Sequence, residues 1–245
     1  MSETPLIAVA VVGVAAILPD APTATKFWEN VKTGQYSISD VDPARWDPEL
    51  YFDPDPRAPD KSYTKIGGWV REWEWDPASW RLPLPPRVAD EMDNVQKWAL
   101  SCARAALLDY GWPQRPIDTE RTAVIVGNAM GGEKQARTSL RVSFPEFIRE
   151  LDQSRRFKSL PVEAQDAIIA EAQDAMRSHY PVITEDTMPG ELANIVAGRV
   201  ANVLNLRGPN FVCDAACASA LAAVSAGVEG LVNGQFDAVL AGGAD

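Results

Sequence analysis

The stretch VCDAACASALAAV, residues 212–224, contains two of the three cysteines of the chain within a run of small side chains. A short apolar segment, residues 210–213, leads into it, and residues 216–232 after the turn are apolar nearly all round. Another apolar segment, residues 236–240, completes the order strand, sharp turn, buried helix, strand, which is typical of a βαβ unit. The stretch therefore predicts an α/β protein in which Cys217 lies where a strand turns into a helix.

This position favours a nucleophilic role for Cys217. Unpaired N–H groups and the macrodipole at a helix N-terminus stabilise a thiolate. An N–H of the same turn can also stabilise the charge on the oxygen of an attacked carbonyl, which is worth about 3 kcal/mol. Small neighbours permit a tight bend and the approach of a bulky acyl substrate. On composition alone, however, a cysteine in an alanine-rich helix is more often a packing residue.

Composition and charge exclude several classes of function. The 245 residues carry a formal charge of -11, which argues against nucleic-acid binding because the surface lacks basic residues to neutralise phosphates. Three cysteines form no disulfide framework, so we expect a cytoplasmic protein. Cys213 and Cys217 lack a second cysteine or histidine pair, and we therefore predict no metal site. The segment GVAAIL, from Gly13, lacks the later glycines of a dinucleotide-binding loop.

The N-terminal third predicts one strand followed by an ordered loop region. Residues 6–18 are an uninterrupted apolar run, rich in β-branched side chains, which predicts a central strand. The run is too short to span a membrane and lacks the preceding positive charge of a signal peptide. Residues 20–85 predict one helix over residues 25–32 and otherwise loops that pack their tryptophans over a core; these are Trp28, Trp46, Trp69, Trp73, Trp75 and Trp80.

The middle of the chain alternates between helical patterns and one buried strand. Residues 87–110 predict an amphipathic helix that ends at Gly111 and buries Cys102 as a packing residue. Residues 122–126 predict a buried strand, and the sequence GNAMGG follows it at residues 127–132. Glycines at the carboxyl end of a strand let the backbone approach a ligand or a facing chain.

Residues 133–190 predict a helical insertion. Ser143 and Glu146 have the spacing of a capping box, and residues 144–151 and 168–176 each carry an apolar stripe. The only histidine, His179, ends the second stripe and is interpreted as a solvated or capping group without a catalytic role. Residues 191–208 predict a further helix that stops at Gly208.

The octapeptide DAACASAL, residues 214–221, resembles DTACSSSL, the active-site block of β-ketoacyl synthases, the condensing enzymes of fatty-acid and polyketide synthesis. The resemblance extends along the chain in the same order. IAVAVVGVAAILPDA resembles their opening strand, FWENVKTGQYSISDVDPARWD their N-terminal loops, and LANIVAGRVANVLNLRGPNFVCDAACASAL their central helix and turn. Within this octapeptide, the replacement of threonine and serine by alanine resembles the pattern of multidomain synthases, of the polyunsaturated fatty acid or enediyne type.

The resemblance implies a thiolase-like, layered α/β/α/β/α fold with a mostly parallel sheet covered by helices, and a homodimer that pairs the strand before the nucleophile. It implies that Cys217 takes an acyl group from the phosphopantetheine of an acyl carrier protein or from coenzyme A. The acyl-enzyme then condenses with a decarboxylated malonyl unit, without a bound metal or nicotinamide. Met130 matches a position that lines the acyl pocket near the dimer interface; the alternative is a core methionine.

Two family histidines and a lysine, which assist decarboxylation, have no counterpart in the 245 residues, and His179 matches neither histidine. We therefore interpret residues 1–245 as an N-terminal domain that ends before the second half, and we expect it not to condense alone. Three alternatives stay open: a portion of a longer synthase, one part of a split enzyme, or a non-catalytic partner resembling a chain-length factor. Retention of Cys217 argues against the third.

Overall fold

The computed structural model describes residues 8–245, which divide into two units. One unit comprises Ala10–Asp76 and Ser101–Pro116, and the other contains Pro77–Leu100 and Ile117–Asp245. Within residues 8–245, no helix combines the length and apolar character that a bilayer crossing requires.

The unit that begins at Ala10 contains short elements joined by ordered loops. Helix α1 (Ala24–Thr33) starts at Thr23, whose hydroxyl oxygen accepts a hydrogen bond from Lys26 N at 3.1 Å. Strand β1 (Ile38–Asp40), helix α2 (Pro48–Tyr51) and strand β2 (Ile66–Gly68) follow, and β1 pairs antiparallel with β2. Trp69 Nε1 donates to Ser39 O at 2.9 Å. Trp28 of α1 is 60% exposed, so the prediction that the tryptophans of this region pack over a core is wrong for Trp28, because the face of α1 that carries it is not covered by the described residues.

The central strand predicted for residues 6–18 is not formed in its described part, and Leu6 and Ile7 lie outside the described residues. Residues 8–17 carry no strand, and the side chain of Val11 is 82% exposed. The physical reason is that none of the described strands pairs with this segment, so its β-branched residues lack the neighbours that bury both faces of a strand. Gly13 instead lies against a helix, since a Cβ atom there would be 2.3 Å from Ala106 O.

The predicted helix over residues 87–110 is two helices, α3 (Pro86–Glu91) and α4 (Asn94–Tyr110). Met92 is extended between them, and Asp93 Oδ1 accepts a hydrogen bond from Val95 N at 2.9 Å. An aspartate that binds the amide two residues later ends one helix and starts another. The left-handed end at Gly111 is confirmed by a φ of 102°.

A three-stranded parallel sheet forms the body of the other unit. Strand β3 (Thr122–Gly127) is buried along its length, as predicted. The helices that follow it are α5 (Glu133–Gln153), α6 (Arg155–Lys158), α7 (Val162–His179), α8 (Thr187–Glu191) and α9 (Ile195–Val203). Strand β4 (Asn210–Cys213), helix α10 (Ser219–Val232) and strand β5 (Ala238–Gly243) complete the predicted βαβ unit. The strand order is β4-β3-β5.

One core cluster of this unit lies between the sheet and α10. It contains Ala123 and Ile125 of β3, Ala223 of α10, and Phe236, which precedes β5. Helix α10 buries Ser219, Ala223, Gly227 and Gly230 and leaves Leu221 74% exposed. The prediction that this helix is buried all round is therefore wrong, because only the face toward the sheet is covered by the described residues.

The helical segment differs from its prediction at its start. Helix α5 begins at Glu133 and passes through Ser143, so the predicted capping box of Ser143 and Glu146 is wrong. The cap comes from elsewhere in the chain: Asp93 Oδ2 accepts a hydrogen bond from Lys134 N at 2.7 Å. The two apolar stripes do face each other, because Phe144 and Ile148 of α5 line a groove of about 270 Å³ with Met176 of α7.

Candidate active site

Cys217 lies on an exposed turn between β4 and α10. The strand ends at Cys213, a single 3-10 turn covers Ala216–Ala218, and α10 begins at Ser219. The thiol is exposed, in contrast to the partly buried thiols of Cys102 and Cys213. The structure therefore places Cys217 in the 3-10 turn that leads into a fourteen-residue helix.

The turn is held by two polar side chains next to the cysteine. Asp214 Oδ1 accepts a hydrogen bond from Ala216 N at 2.8 Å. Ser219 Oγ accepts from Ala215 N at 2.8 Å and donates to Ala216 O at 2.7 Å. Ala216 has a left-handed φ of 50°, which costs a non-glycine residue about 1–2 kcal/mol and persists only where neighbouring contacts hold it. These contacts fix the direction in which the next residue, Cys217, leaves the turn.

Close backbone packing seats the start of α10 on the sheet. A Cβ atom at Gly127, the last residue of β3, would be 2.2 Å from the carbonyl carbon of Ser219 and 2.6 Å from Ala220 N. Only glycine permits this approach, because no real Cβ atom tolerates such distances. The sequence predicted that the glycines of the GNAMGG segment approach a ligand or a facing chain, whereas Gly127 closely approaches the helix that follows Cys217 in the same chain.

The loop after β3 is tied to the chain near Asp245. Asn128, which is 2% exposed, donates from Nδ2 to Ala244 O at 2.7 Å, and its Oδ1 accepts from Gly131 N at 3.0 Å. Met130 N donates to Asp245 Oδ1 at 3.0 Å. The side chain of Met130 is 82% exposed, so it is not a core methionine within this chain. Because β3 and β4 are parallel neighbours, the loop with Met130 and the turn with Cys217 lie at the same end of the sheet, where the carboxyl ends of the strands meet.

The other cysteines and the histidine differ from Cys217 in their surroundings. Burial raises the pKa of the Cys102 thiol, against a smaller opposing effect of a backbone hydrogen bond at Ile17. Cys213 Sγ donates weakly to Ser219 O at 3.7 Å, so its contact supports the turn. His179 Nδ1 lies 2.8 Å from Ala175 O in its own helix, in line with the capping interpretation. Among residues 8–245, no three His, Cys, Asp or Glu side chains converge in a way that could hold a metal ion.

Three supporting residues of this site were not singled out from the sequence. Asp214 and Ser219 both lie within DAACASAL, and Asn128 lies within GNAMGG. The residue types are the available signal, because short polar side chains next to glycine or alanine commonly bind backbone groups in turns. Their partners lie up to 117 residues away, as for Asn128 and Asp245, and such contacts cannot be read from local sequence.

Comparison with known proteins agrees with this geometry. The family model described as beta-ketoacyl synthase, N-terminal domain, matches residues 7–245. One polypeptide of the polyunsaturated fatty acid synthase of Thraustochytrium sp. (strain ATCC 26185 / S-3) is 32% identical over 239 residues, which are 96% of this chain and 8% of that protein. Polyketide synthase PksL of Bacillus subtilis (strain 168) is 25% identical over 236 residues, 96% of this chain and 4% of that protein. The chain thus spans less than a tenth of these two relatives.

Solved structures give the same assignment of the fold. The oxazolomycin ketosynthase domain OzmH KS7 of Streptomyces albus JA3453 matches with a TM-score of 0.69 and 25% identity, over 95% of this chain and 33% of that chain. The PfaC keto synthase-chain length factor matches with a TM-score of 0.75 and 21% identity, over 96% of this chain and 24% of that chain. These neighbours confirm the predicted thiolase-like α/β fold, and with the family match over nearly every residue, the chain belongs to the β-ketoacyl synthases as an N-terminal domain of that family.

Proposed function

We propose that this chain provides the acyl-accepting site of a condensing enzyme, with Cys217 as the nucleophile. The observation that carries the proposal is the exposed thiol of Cys217 on the turn before α10, held by Asp214 and Ser219. The reaction is acyl transfer followed by decarboxylative Claisen condensation in fatty-acid or polyketide chain elongation. The acyl donor is the phosphopantetheine thioester of an acyl carrier protein or of coenzyme A.

The acyl-transfer step exchanges one thioester for another. The Cys217 Sγ atom attacks the carbonyl carbon of the donor, the Sγ–acyl bond forms, and the bond between that carbon and the pantetheine sulfur breaks. The proton of the Cys217 thiol ends on the released pantetheine thiol. Backbone N–H groups of this turn or of the start of α10 would stabilise the negative charge on the carbonyl oxygen during the attack.

The condensation step regenerates the thiol. A malonyl thioester loses CO₂, its methylene carbon bonds to the acyl carbon, and the Sγ–acyl bond breaks while Cys217 takes up a proton. We expect residues 1–245 to form the acyl-enzyme but not to complete this step. The sequence holds one histidine, His179, and its ring binds the backbone of its own helix, where it cannot assist decarboxylation.

Met130 is proposed to line the acyl pocket, and a surface of another chain is proposed to cover its side chain. Its side chain is 82% exposed although the loop that carries it is fixed by Asn128 and Asp245. A large apolar side chain held on a rigid loop is typical of a contact made by another chain or domain. We therefore propose that a homodimer in a cytoplasmic setting completes the pocket around Met130.

Covalent labelling tests the nucleophile. The protein is incubated with an acyl N-acetylcysteamine thioester, digested, and mapped by mass spectrometry, with Cys217→Ser and Cys102→Ser variants in parallel. We expect one acyl group per chain on Cys217, loss of the label in Cys217→Ser, and unchanged labelling in Cys102→Ser. Label confined to Cys102 or Cys213 would refute the assignment.

A non-catalytic partner is the second candidate function, since one structural neighbour is named a keto synthase-chain length factor. At 21% identity that likeness bears on the fold alone. The same labelling separates the two functions. A folded protein that binds carrier-linked acyl groups and leaves Cys217 free would favour the partner function.

A further inference from the structure

Asp93, at the junction between α3 and α4, binds three separate parts of the chain. It is 6% exposed, and its Oδ1 accepts from Val95 N at 2.9 Å to start α4. Its Oδ2 accepts from Lys134 N at 2.7 Å, in the first turn of α5. Its own backbone N donates to Gly190 O at 2.8 Å. One buried residue therefore holds both ends of the helical segment that runs from residue 133 to residue 190.

Glu91 and Gln96 make further contacts from the same junction. Lys134 Nζ donates to Glu91 O at 2.6 Å and also contacts Glu91 Oε2, and both side chains of this ion pair are mostly buried. The hydroxyl of Thr187 donates to Glu91 Oε2 at 3.3 Å. Gln96, which is 1% exposed, donates from Nε2 to Pro189 O at 2.9 Å. The start of α5 and the region of α8 are thus bound to residues 91–96.

Two glycines permit the close approach of both segment ends. A Cβ atom at Gly132 would be 2.1 Å from Asp93 Oδ1, and a Cβ atom at Gly190 would be 2.1 Å from Glu91 O. At Gly190 the neighbouring atom belongs to the backbone, so no other residue permits this approach, whereas at Gly132 a Cβ atom would displace the carboxylate of Asp93. Gly132, the last glycine of the GNAMGG segment, therefore serves the contact with Asp93.

We infer that Asp93 is a positioning residue for the loop 128–132 and, through it, for acyl-chain selection by Met130. The loop is bound at one end by Asn128 and Asp245 and at the other by the hydrogen bond from Lys134 N to Asp93. These bonds hold the backbone of the loop that carries Met130 at the carboxyl end of β3, the end of the sheet where Cys217 lies. The part of this inference that concerns acyl-chain selection rests on the proposed function. The part that concerns the position of the loop rests only on the hydrogen bonds of Asp93, Asn128 and Asp245.

A serine at position 93 separates this role from ordinary helix capping. Serine is as good an N-cap as aspartate, so Asp93→Ser keeps the bond to Val95 N that starts α4. Its shorter side chain has one oxygen and cannot also accept from Lys134 N. Asp93→Ala loses both bonds. Asp90→Ser, an exposed aspartate three residues earlier, is the matched control.

Hydrogen exchange followed by mass spectrometry is the first measurement. In Asp93→Ser we expect the amides of residues 130–135 to exchange about tenfold faster or more, as the loss of a hydrogen bond to a charged group predicts. Amides of α4 should keep their protection in Asp93→Ser and lose it in Asp93→Ala. Unchanged exchange over residues 130–135 in Asp93→Ser would overturn the inference, and Asp90→Ser should match the parent protein throughout.

The second measurement compares acylation of Cys217 by long-chain and short-chain acyl thioesters. We expect Asp93→Ser to change the ratio of the two rates at least threefold, in the same direction as Met130→Ala, and to leave alkylation of Cys217 by iodoacetamide unchanged. An unchanged ratio would overturn acyl selection through this loop. If the parent protein takes up no acyl group while exchange responds as expected, the proposed function fails and the hold of Asp93 on the loop stands.

Discussion

Ala216 is the residue whose backbone conformation does most to define the site. Its φ of 50° lies in the left-handed region, where an L side chain is strained, and it immediately precedes Cys217. The hydrogen bonds from Ala216 N to Asp214 and from Ser219 Oγ to Ala216 O hold it there. The small side chains around Cys217 therefore have a conformational purpose beyond leaving space for a substrate.

A β-branched side chain at position 216 should make this strain measurable. Ala216→Val adds two methyl groups to a left-handed residue, whereas Ala218→Val adds them to an exposed neighbour with a φ of -95°. We expect Ala216→Val to lower the free energy of unfolding by about 2 kcal/mol more than Ala218→Val, because β-branched residues are rare outliers at positive φ. Urea unfolding of the two variants, followed by circular dichroism, measures the difference. Equal losses would mean that the turn relaxes without cost.

Among the strands and helices, the contact between β3 and α10 depends on Gly127. A methyl group at this position would meet backbone atoms of Ser219 and Ala220, which cannot move aside as a flexible side chain could. Gly242 of β5, also near the carboxyl end of its strand, has no heavy atom within 4 Å of the corresponding point. The two positions therefore form a matched pair.

Gly127→Ala should lower the free energy of unfolding by about 1–3 kcal/mol, as overpacking in a close contact does. Gly242→Ala should change it by less than about 0.5 kcal/mol. Gly127→Ala should also slow acylation of Cys217, since the start of α10 must shift away from β3. Chemical unfolding and the labelling assay give the two values. A Gly127→Ala protein as stable and as reactive as Gly242→Ala would contradict the close approach.

An exposed ion pair joins β3 and β5 where the two strands begin. Arg121 donates from Nε to Asp237 Oδ2 at 2.7 Å and from Nη2 to Asp237 Oδ1 at 2.8 Å. The hydrogen bonds and charge of Arg121 lower the pKa of the Asp237 carboxyl below its ordinary value. A carboxyl whose pKa is lowered by folding stabilises the folded state above its unfolded pKa, and this stabilisation is lost as the pH falls through the folded pKa.

The stability difference between the parent protein and Asp237→Asn should therefore be largest near neutral pH and vanish in acid. Unfolding measured in urea between pH 7 and pH 2 tests this trend. Asp166→Asn, which changes an exposed carboxylate of α7, is the control for the loss of one negative charge. A difference for Asp237→Asn that is constant across this range would exclude a contribution from the charge of the pair.

Elements with a strong local pattern were predictable from the sequence, and those that depend on distant partners were not. The β-branched residues of β3 and the helix α1 between Thr23 and a glycine carry their signals within a few residues. The start of α5 was misplaced because its cap, Asp93, lies 41 residues earlier. The run over residues 8–17 has the composition of a buried strand, but its structure depends on strand neighbours that local sequence does not encode.

The candidate site shows the same division. The position of Cys217 between a strand and a helix was predictable because the apolar strand, the small residues of the turn and the helix follow one another within a few residues. Asn128 and Asp93 were missed, since each acts through backbone groups of remote segments. A short polar residue gives no sign in the sequence of which amide it will bind.

Taken over the whole chain, apolar surface remains exposed on the elements around the site. Helix α10 exposes one face along its length, and strand β4 lies at the edge of the parallel sheet, pairing among the described strands with β3 alone. The exposed apolar residues of this region are Phe211, Leu221, Val224, Val228 and Val232. An edge strand with unpaired backbone groups and an adjacent apolar face is typical of a surface that another chain covers.

The edge of β4 should accordingly carry the homodimer contact that we propose for this protein. Phe211, 44% exposed on this edge, would meet its own counterpart across a two-fold axis, so Phe211→Lys would place two like charges together. We expect the parent protein to sediment as a dimer and Phe211→Lys as a folded monomer at the same concentration. Val142→Lys, which changes a 62% exposed residue of α5, serves as control and should remain dimeric. A dimeric Phe211→Lys protein would exclude β4 as the contact, because two lysines facing each other within the interface would prevent the dimer from forming.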